Sequence, residues 1–179
     1  WEDALSPYVK NRWRSFTLSV NYRTPAQIME ASSGVLAEIN PTAQQPRSIR
    51  RSAYDVELID RADNTWLVVL QQTVHHMQNF HPGEKRTCGI LVSPAVMGDL
   101  QAVMDTTILD RTVLDAAVSL VQDAKGLEFD YVIIADPVGM VEASPQGLND
   151  LFVAMTRATQ ALAIVHDGAV PYCLSDLVE

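Results

Sequence analysis

Apolar positions along the chain recur in two rhythms, and the two alternate from end to end. Residues 15–20 predict a short strand that runs into Asn21-Tyr22-Arg23. Thr24 then has the chemistry of a helix cap, Pro25 suits the first helical position, and Gln27 completes a capping box. Ile28, Ala31, Val35 and Ile39 form one apolar stripe at helical spacing, which Asn40-Pro41 ends. Residues 41–53 are polar and read as a loop. Residues 56–59 predict a strand, followed by a helix with Trp66, Leu70, Val74 and Met77 on one face. Cys88 to Val92 is a continuous apolar run. Ser93-Pro94 bounds it and caps a helix whose stripe is Val96, Leu100 and Val103. Residues 116–121 predict a short buried strand and residues 131–135 a stronger one. Ser144-Pro145 opens a further helix, and residues 162–165 make the last strand. The opening dozen residues show no period.

Strands that alternate with helices predict an α/β domain, with a mostly parallel sheet covered by helices on both faces. A chain of 179 residues, 47% hydrophobic, is long enough for one such domain with its own core, spanning 1–179. It holds no run of about 18 apolar residues, so no segment reads as a membrane-crossing helix. The first residue is Trp1 and no leader pattern follows, which suggests a piece excised from a longer protein. Two cysteines, Cys88 and Cys173, make no disulfide framework and fit a reducing, cytoplasmic setting. A net charge of −9 argues against tight phosphate contacts to nucleic acid by this piece alone. The densest positive charge is Arg47, Arg50 and Arg51, in the 41–53 loop. His75, His76, His81 and Cys88 match no zinc spacing, so no metal site is expected.

Three stretches carry candidate chemistry. Asn21-Tyr22-Arg23-Thr24-Pro25 lies at a strand-to-helix turn, and Ala124-Lys125-Gly126-Leu127-Glu128-Phe129-Asp130 lies just before a buried strand. Residues 151–159, with Thr156-Arg157-Ala158-Thr159, lie near the end of a helix. Ligands of open α/β sheets gather at the carboxyl ends of the strands, and the three stretches are placed to converge on one edge. On a helix with Leu148, Leu151, Phe152 and Met155 inward, Arg157 lies roughly 180° from Leu148 at about 100° per residue. It therefore points away from the core, either as an ordinary surface arginine or as a group offered to a neighbour. A guanidinium is always charged and makes forked contacts to phosphate oxygens.

Together these stretches resemble motifs IV, V and VI of the UvrD/Rep/PcrA class of superfamily 1 helicases. The resemblance implies the second of two RecA-like motor domains, with ATP bound in the cleft between them. It implies that Tyr22 stacks on adenine, that Arg23 and Arg157 reach the γ-phosphate as the catalytic arginines, and that Gly126 and Glu128 lie beside the nucleotide. A core tyrosine and a turn partner remain the plain alternatives for Tyr22 and Glu128. The chain has no Gly-Lys dipeptide and so no phosphate loop. Asp136 is followed by Pro137 rather than by a catalytic Glu, and reads as the turn after a central strand. The phosphate loop, the Mg²⁺ ligands and the general base would then belong to an absent N-terminal RecA-like domain, and this chain alone would be inactive. Leu120 and Gln122 stand where motif V of the family has Thr and His facing single-stranded DNA, so DNA contact by the fragment is expected to be weak. The short stretch between motifs IV and V looks most like the HelD branch, related to helicase IV, which implies RNA polymerase as a partner. A UvrD/Rep-type repair helicase domain and a non-hydrolysing interaction domain are the alternatives.

Overall fold

The computed structural model describes residues 2–9, 14, 19–106 and 116–178. Helix α1 (Glu2–Val9) leads to strand β1 (Val20–Asn21), helices α2 (Ala26–Ala31) and α3 (Ser33–Ile39), and strands β2 (Arg47–Ser48) and β3 (Glu57–Asp60). Then follow α4 (Trp66–Gln78), β4 (Cys88–Val92), α5 (Pro94–Thr106), β5 (Ala117–Ser119) and β6 (Phe129–Ala135). After these come α6 (Pro137–Glu142), α7 (Gly147–Met155), β7 (Ala158–His166) and a 3-10 turn at Tyr172–Leu177. Five strands form one parallel sheet in the order β3-β7-β6-β4-β5, and β1 and β2 pair separately, also in parallel. This is a RecA-like arrangement with no phosphate loop in the sequence.

The pleat divides the core in two. Val132 and Ile134 of β6 face one side, with Val35 of α3 and Leu151, Ala154 and Met155 of α7. Tyr131, Ile133 and Ala135 face the other, with Leu70, Val74 and Met77 of α4 and Val96 and Leu100 of α5. Both faces of β6 are therefore covered, which is why this strand reads as a continuous apolar run rather than an alternating one. Ile133 and Ile134 are wholly buried, and each contributes about 1.5–3 kcal/mol by leaving water. No helix among the described residues is long and apolar enough to cross a membrane.

The sequence expectations hold for β3, α4, β4, α5, β6, α7 and β7, with shifts at their ends, and are corrected at other points. The strand expected over 15–20 lies mostly outside the described residues, and β1 begins at Val20. Gln27 makes no capping box: its amide donates to the Ser52 carbonyl at 2.5 Å and accepts from the Ser52 N–H at 3.0 Å. The helix after Pro25 is interrupted at Ser32, whose buried hydroxyl donates to the Met29 carbonyl at 3.0 Å. The 41–53 loop contains β2. The strand over 116–121 shortens to the partly exposed β5, because it lies at the sheet edge and pairs only with β4. Val121 is buried beyond its end. Val103 is exposed, so the inner stripe of α5 narrows to Val96 and Leu100. Helices α1 and α6 had no counterpart in the sequence pattern. Of the four residues weighed for zinc, His76 pairs with Glu57, His81 bonds the Tyr131 hydroxyl, and Cys88 is buried in β4.

Candidate functional site

Motif IV is shaped by a local turn. The Asn21 side-chain oxygen accepts the N–H groups of Arg23 at 2.8 Å and Thr24 at 3.1 Å. Such an Asx turn reverses the chain out of β1 and into α2. The β2 segment fixes the turn from the side. Arg47 N–H donates to the Ser19 carbonyl and Ile49 N–H to that of Asn21. The Ser48 hydroxyl donates to the Thr24 carbonyl at 2.6 Å, and Arg50 Nη1 donates to the Arg23 carbonyl at 3.3 Å. With its backbone held this way, Tyr22 leaves 69% of its surface exposed.

Motif V forms the 120–128 loop. Val121 and Ala124 are buried in the core and anchor it. Gly126 then turns back with φ +89°, a left-handed conformation that L side chains rarely adopt. A Cβ there would meet nothing within 4 Å, so the backbone angle rather than space calls for glycine. Leu127 and Glu128 lead directly into β6.

Motif VI ends α7. The helix stops at Met155 and Thr156 caps it, so Arg157 lies in the turn before β7. The projection of Arg157 from helical periodicity is therefore corrected. Its guanidinium is partly buried, with Nε donating to the Val153 carbonyl at 3.2 Å and Nη1 to the Leu127 carbonyl at 3.2 Å. The Arg157 carbonyl in turn accepts the Phe129 N–H at 3.1 Å.

The three motifs meet. Arg23 Nη2 lies 2.8 Å from Glu128 Oε1, joining motif IV to motif V, and Arg157 joins motif VI to motif V through Leu127. A cleft of about 550 Å³ opens among Tyr22, Arg23, Met29, Phe152, Thr156 and Arg157. Neither Glu128 nor Gly126 lines it, and Glu128 is linked to it through Arg23. The shared edge is not the one expected. Glu128 and Arg157 lie at the amino ends of β6 and β7, although motif IV follows β1 and the motif V loop begins just after β5.

Two further residues bear on the site and escaped the sequence reading. Asp150 of α7 is nearly buried, with Oδ2 accepting from Gln122 Nε2 at 2.8 Å and Oδ1 at 3.4 Å from Lys125 Nζ. Asp130, the last residue of motif V, ties β6 to the 86–87 turn: its Oδ2 accepts from the Thr87 N–H and hydroxyl, each at 2.9 Å, and Oδ1 lies 3.3 Å from Arg86 Nη1. Burial disfavours the Asp130 charge, but the Thr87 bonds and the Arg86 guanidinium outweigh it and hold the carboxyl below its usual value. The motif V stretch includes Asp130, but nothing in the sequence pairs it with Thr87 and Arg86. Arg47 and Arg50 are exposed beside motif IV, and Arg51 makes a long pair with Glu30 at 3.9 Å.

Residues 115–165 match the family model of the UvrD-like helicase C-terminal domain, and over this span the chain is similar to that domain of the superfamily 1 helicases. Among solved structures, the C-terminal domain of a possible DNA helicase from Lactobacillus plantarum WCFS1 is similar, with a TM-score of 0.55 and 18% identity. The match covers 87% of this chain and 92% of that one, and at this identity it speaks for the fold alone. Among curated proteins, none matches.

Proposed function

We propose that this chain, similar over residues 115–165 to the UvrD-like helicase C-terminal domain, is the second RecA-like motor domain of an ATP-dependent DNA helicase or translocase. In this reading it completes an ATP site across a cleft from a domain that carries the phosphate loop, the Mg²⁺ ligands and the general base. The observation that supports it most is the meeting of motifs IV, V and VI through the Arg23–Glu128 ion pair and the Arg157–Leu127 bond. Residues far apart in the chain converge on one cleft that offers an exposed aromatic ring and two guanidinium groups.

Each group then has a role that its chemistry fits. Tyr22 presents a flat ring on which adenine stacks. Arg23 and Arg157 bind phosphate oxygens, where planar forks outperform a point charge. The Arg23–Glu128 pair is about half exposed on both sides. Such surface pairs contribute about 0–1 kcal/mol, so a polyphosphate displaces the carboxylate at little cost. Gly126 sets the loop, and Gly126 and Glu128 lie beside the nucleotide. Phosphoryl transfer depends on positioning and charge stabilisation, and an arginine finger is worth about 10³–10⁵ in rate.

The test compares phosphate release by the isolated chain with that of the full-length protein. The chain alone is expected to show no turnover. In the full-length protein, Arg157→Ala is expected to slow hydrolysis by about 100-fold or more. Arg157→Lys is expected to rescue poorly, because the planar fork is lost. Turnover by the isolated chain above roughly 1 s⁻¹, an ordinary enzyme rate, contradicts the half-site reading.

A finer reading, the HelD branch with RNA polymerase as partner, is favoured by one observation. Between motifs IV and V, the described elements β2 to β5 either belong to the main sheet and its covering helices or brace motif IV, leaving an inserted domain no place among them. Co-purification of the full-length protein with RNA polymerase tests it. A repair helicase instead unwinds or tracks along DNA without that partner. A non-hydrolysing interaction domain shows no ATP turnover in any context.

A further inference from the structure

Helix α7 touches the motif V loop at two points. At its carboxyl end, in the turn that follows Met155 and Thr156, Arg157 donates to the Leu127 carbonyl at 3.2 Å. Its first turn reaches the loop through Asp150, which holds Gln122 at 2.8 Å and Lys125 at 3.4 Å. One contact is made in the first turn of α7 and the other just past its carboxyl end, so the loop is held at both ends of the helix. Gly126 lies between Lys125 and Leu127 in the chain, and Glu128, the residue after Leu127, holds Arg23. The Asp150 side chain is 9% exposed, whereas Lys125 is 57% exposed. A carboxylate this deep is costly unless it is paired and hydrogen-bonded, and here both of its oxygens are committed to one loop.

We propose that Asp150 is a positioning residue of the ATP site: its buried carboxylate clips Gln122 and Lys125 and thereby sets where Gly126, Leu127 and Glu128 stand. The inference rests on the reading of the cleft as half of an ATP site. Val121 and Ala124 give the loop its apolar anchor, but both precede Gly126 and leave the following turn to be fixed by polar contacts. Asp150 supplies the fixed end of that turn and Arg157 the other. With Asp150 removed, the loop keeps its apolar anchor and loses its register against α7. Glu128 and Arg157 then no longer meet the nucleotide together. Gln122 is accordingly a member of the clip, its amide spent on Asp150 at the position where the resembling family faces single-stranded DNA.

The experiment uses the full-length protein and three variants, Asp150→Ala, Asp150→Asn and Gln122→Ala. Each is assayed for ATP turnover well below its melting midpoint, and amide exchange is followed by mass spectrometry. Asp150→Ala is expected to lower kcat about tenfold, to change the affinity for a non-hydrolysable ATP analogue less than threefold, and to raise exchange at residues 122–128 about tenfold. Protection of β4 and β6 is expected to stay as in the wild type. Asp150→Asn keeps an acceptor for Gln122 and is expected to recover to within about threefold of the wild-type rate. Gln122→Ala is expected to fall between them. An Asp150→Ala protein that melts lower yet turns over at the wild-type rate, with unchanged exchange at 122–128, overturns the proposal and leaves Asp150 a structural residue only. Arg157→Ala is run in parallel. If it alone is slow, the clip is wrong and the ATP-site reading stands. If neither variant is slow, the ATP-site reading fails, and the positioning role fails with it.

Discussion

At the carboxyl ends of the strands, Asp136 gives both of its carboxylate oxygens to the domain itself. Oδ1 accepts the Gly139 N–H at 2.9 Å, and Oδ2 accepts the hydroxyl of the buried Ser93 at 2.7 Å. Asp136 even adopts a left-handed φ of +60° to do so. A Cβ on Gly139 would approach Asp136 Oδ2 to 2.0 Å, so the packing of that turn is tight. At the amino ends of β6 and β7, Glu128 gives its carboxylate to Arg23, and both remain about half exposed. Tyr22 beside them is largely exposed. The Asp136 carboxylate is spent on the turn that holds it. The Glu128–Arg23 pair and the Tyr22 ring instead stay about half or more exposed, even though Asp130 nearby is also committed to the fold. The general rule for open α/β sheets favours the carboxyl edge for ligands. Here the degree to which polar groups are already satisfied points to the other edge. What distinguishes a candidate site is polar chemistry left available, rather than polar chemistry present.

Substitutions on the two edges are expected to separate stability from activity. The largest stability effect is expected for Asp136→Ala, which removes the cap of α6 and leaves the Ser93 hydroxyl buried without its acceptor. The loss is about 2 kcal/mol, or a melting point about 4–8 °C lower for a domain of this size. ATP turnover of the full-length protein is expected to be unchanged at temperatures where it is folded. A slow but stable Asp136→Ala protein breaks the comparison. A smaller, pH-dependent effect is expected at Asp130. Its carboxyl is held below the usual value in the fold, so its contribution to stability is present above the unfolded value near 3.9 and is lost as pH falls through the folded value. Melting curves of the wild type and Asp130→Asn between pH 3 and 7 are expected to differ at neutral pH and to converge toward the acid end. Parallel curves across the range contradict this. The smallest effect is expected for Glu128→Gln, which breaks a half-exposed ion pair. Urea unfolding is expected to place it within about 0.5 kcal/mol of the wild type. A loss above about 2 kcal/mol, well beyond the usual worth of an exposed pair, makes Glu128 part of the fold rather than part of the site.

The sheet was the most legible part of the sequence. Cys88–Val92 appears with its predicted bounds, because a strand buried on both faces needs an unbroken apolar run. The trio of motifs was legible by resemblance, and their meeting follows the convergence expected of them. What failed depended on partners distant in the chain. Gln27 has the spacing of a cap, but its amide is claimed by Ser52, 25 positions on. The direction of Arg157 assumed a helix that continues past Met155, and one residue of turn cancels that geometry. Asp150 sits in the first turn of α7, between Asn149 and Leu151. Nothing local in the sequence distinguishes it from a solvated helix acid, because its partners Gln122 and Lys125 come to it only through the crossover from β5 to β6. Helix α6 was invisible for another reason: six residues that begin with proline have no room to show a period.

In the proposed half-site Arg157 stabilises charge that develops on the γ-phosphate, and a transition-state mimic probes this role. Binding of ADP with aluminium fluoride, and of ADP alone, is measured on the wild-type full-length protein and on Arg157→Ala. Interactions made only in the transition state weaken the mimic without weakening the ground state. The account predicts that Arg157→Ala loses about 100-fold in affinity for the mimic, in line with an arginine finger, and changes less than threefold for ADP. Equal affinities of the two proteins for the mimic would show that Arg157 is held for the fold by Val153 and Leu127 alone.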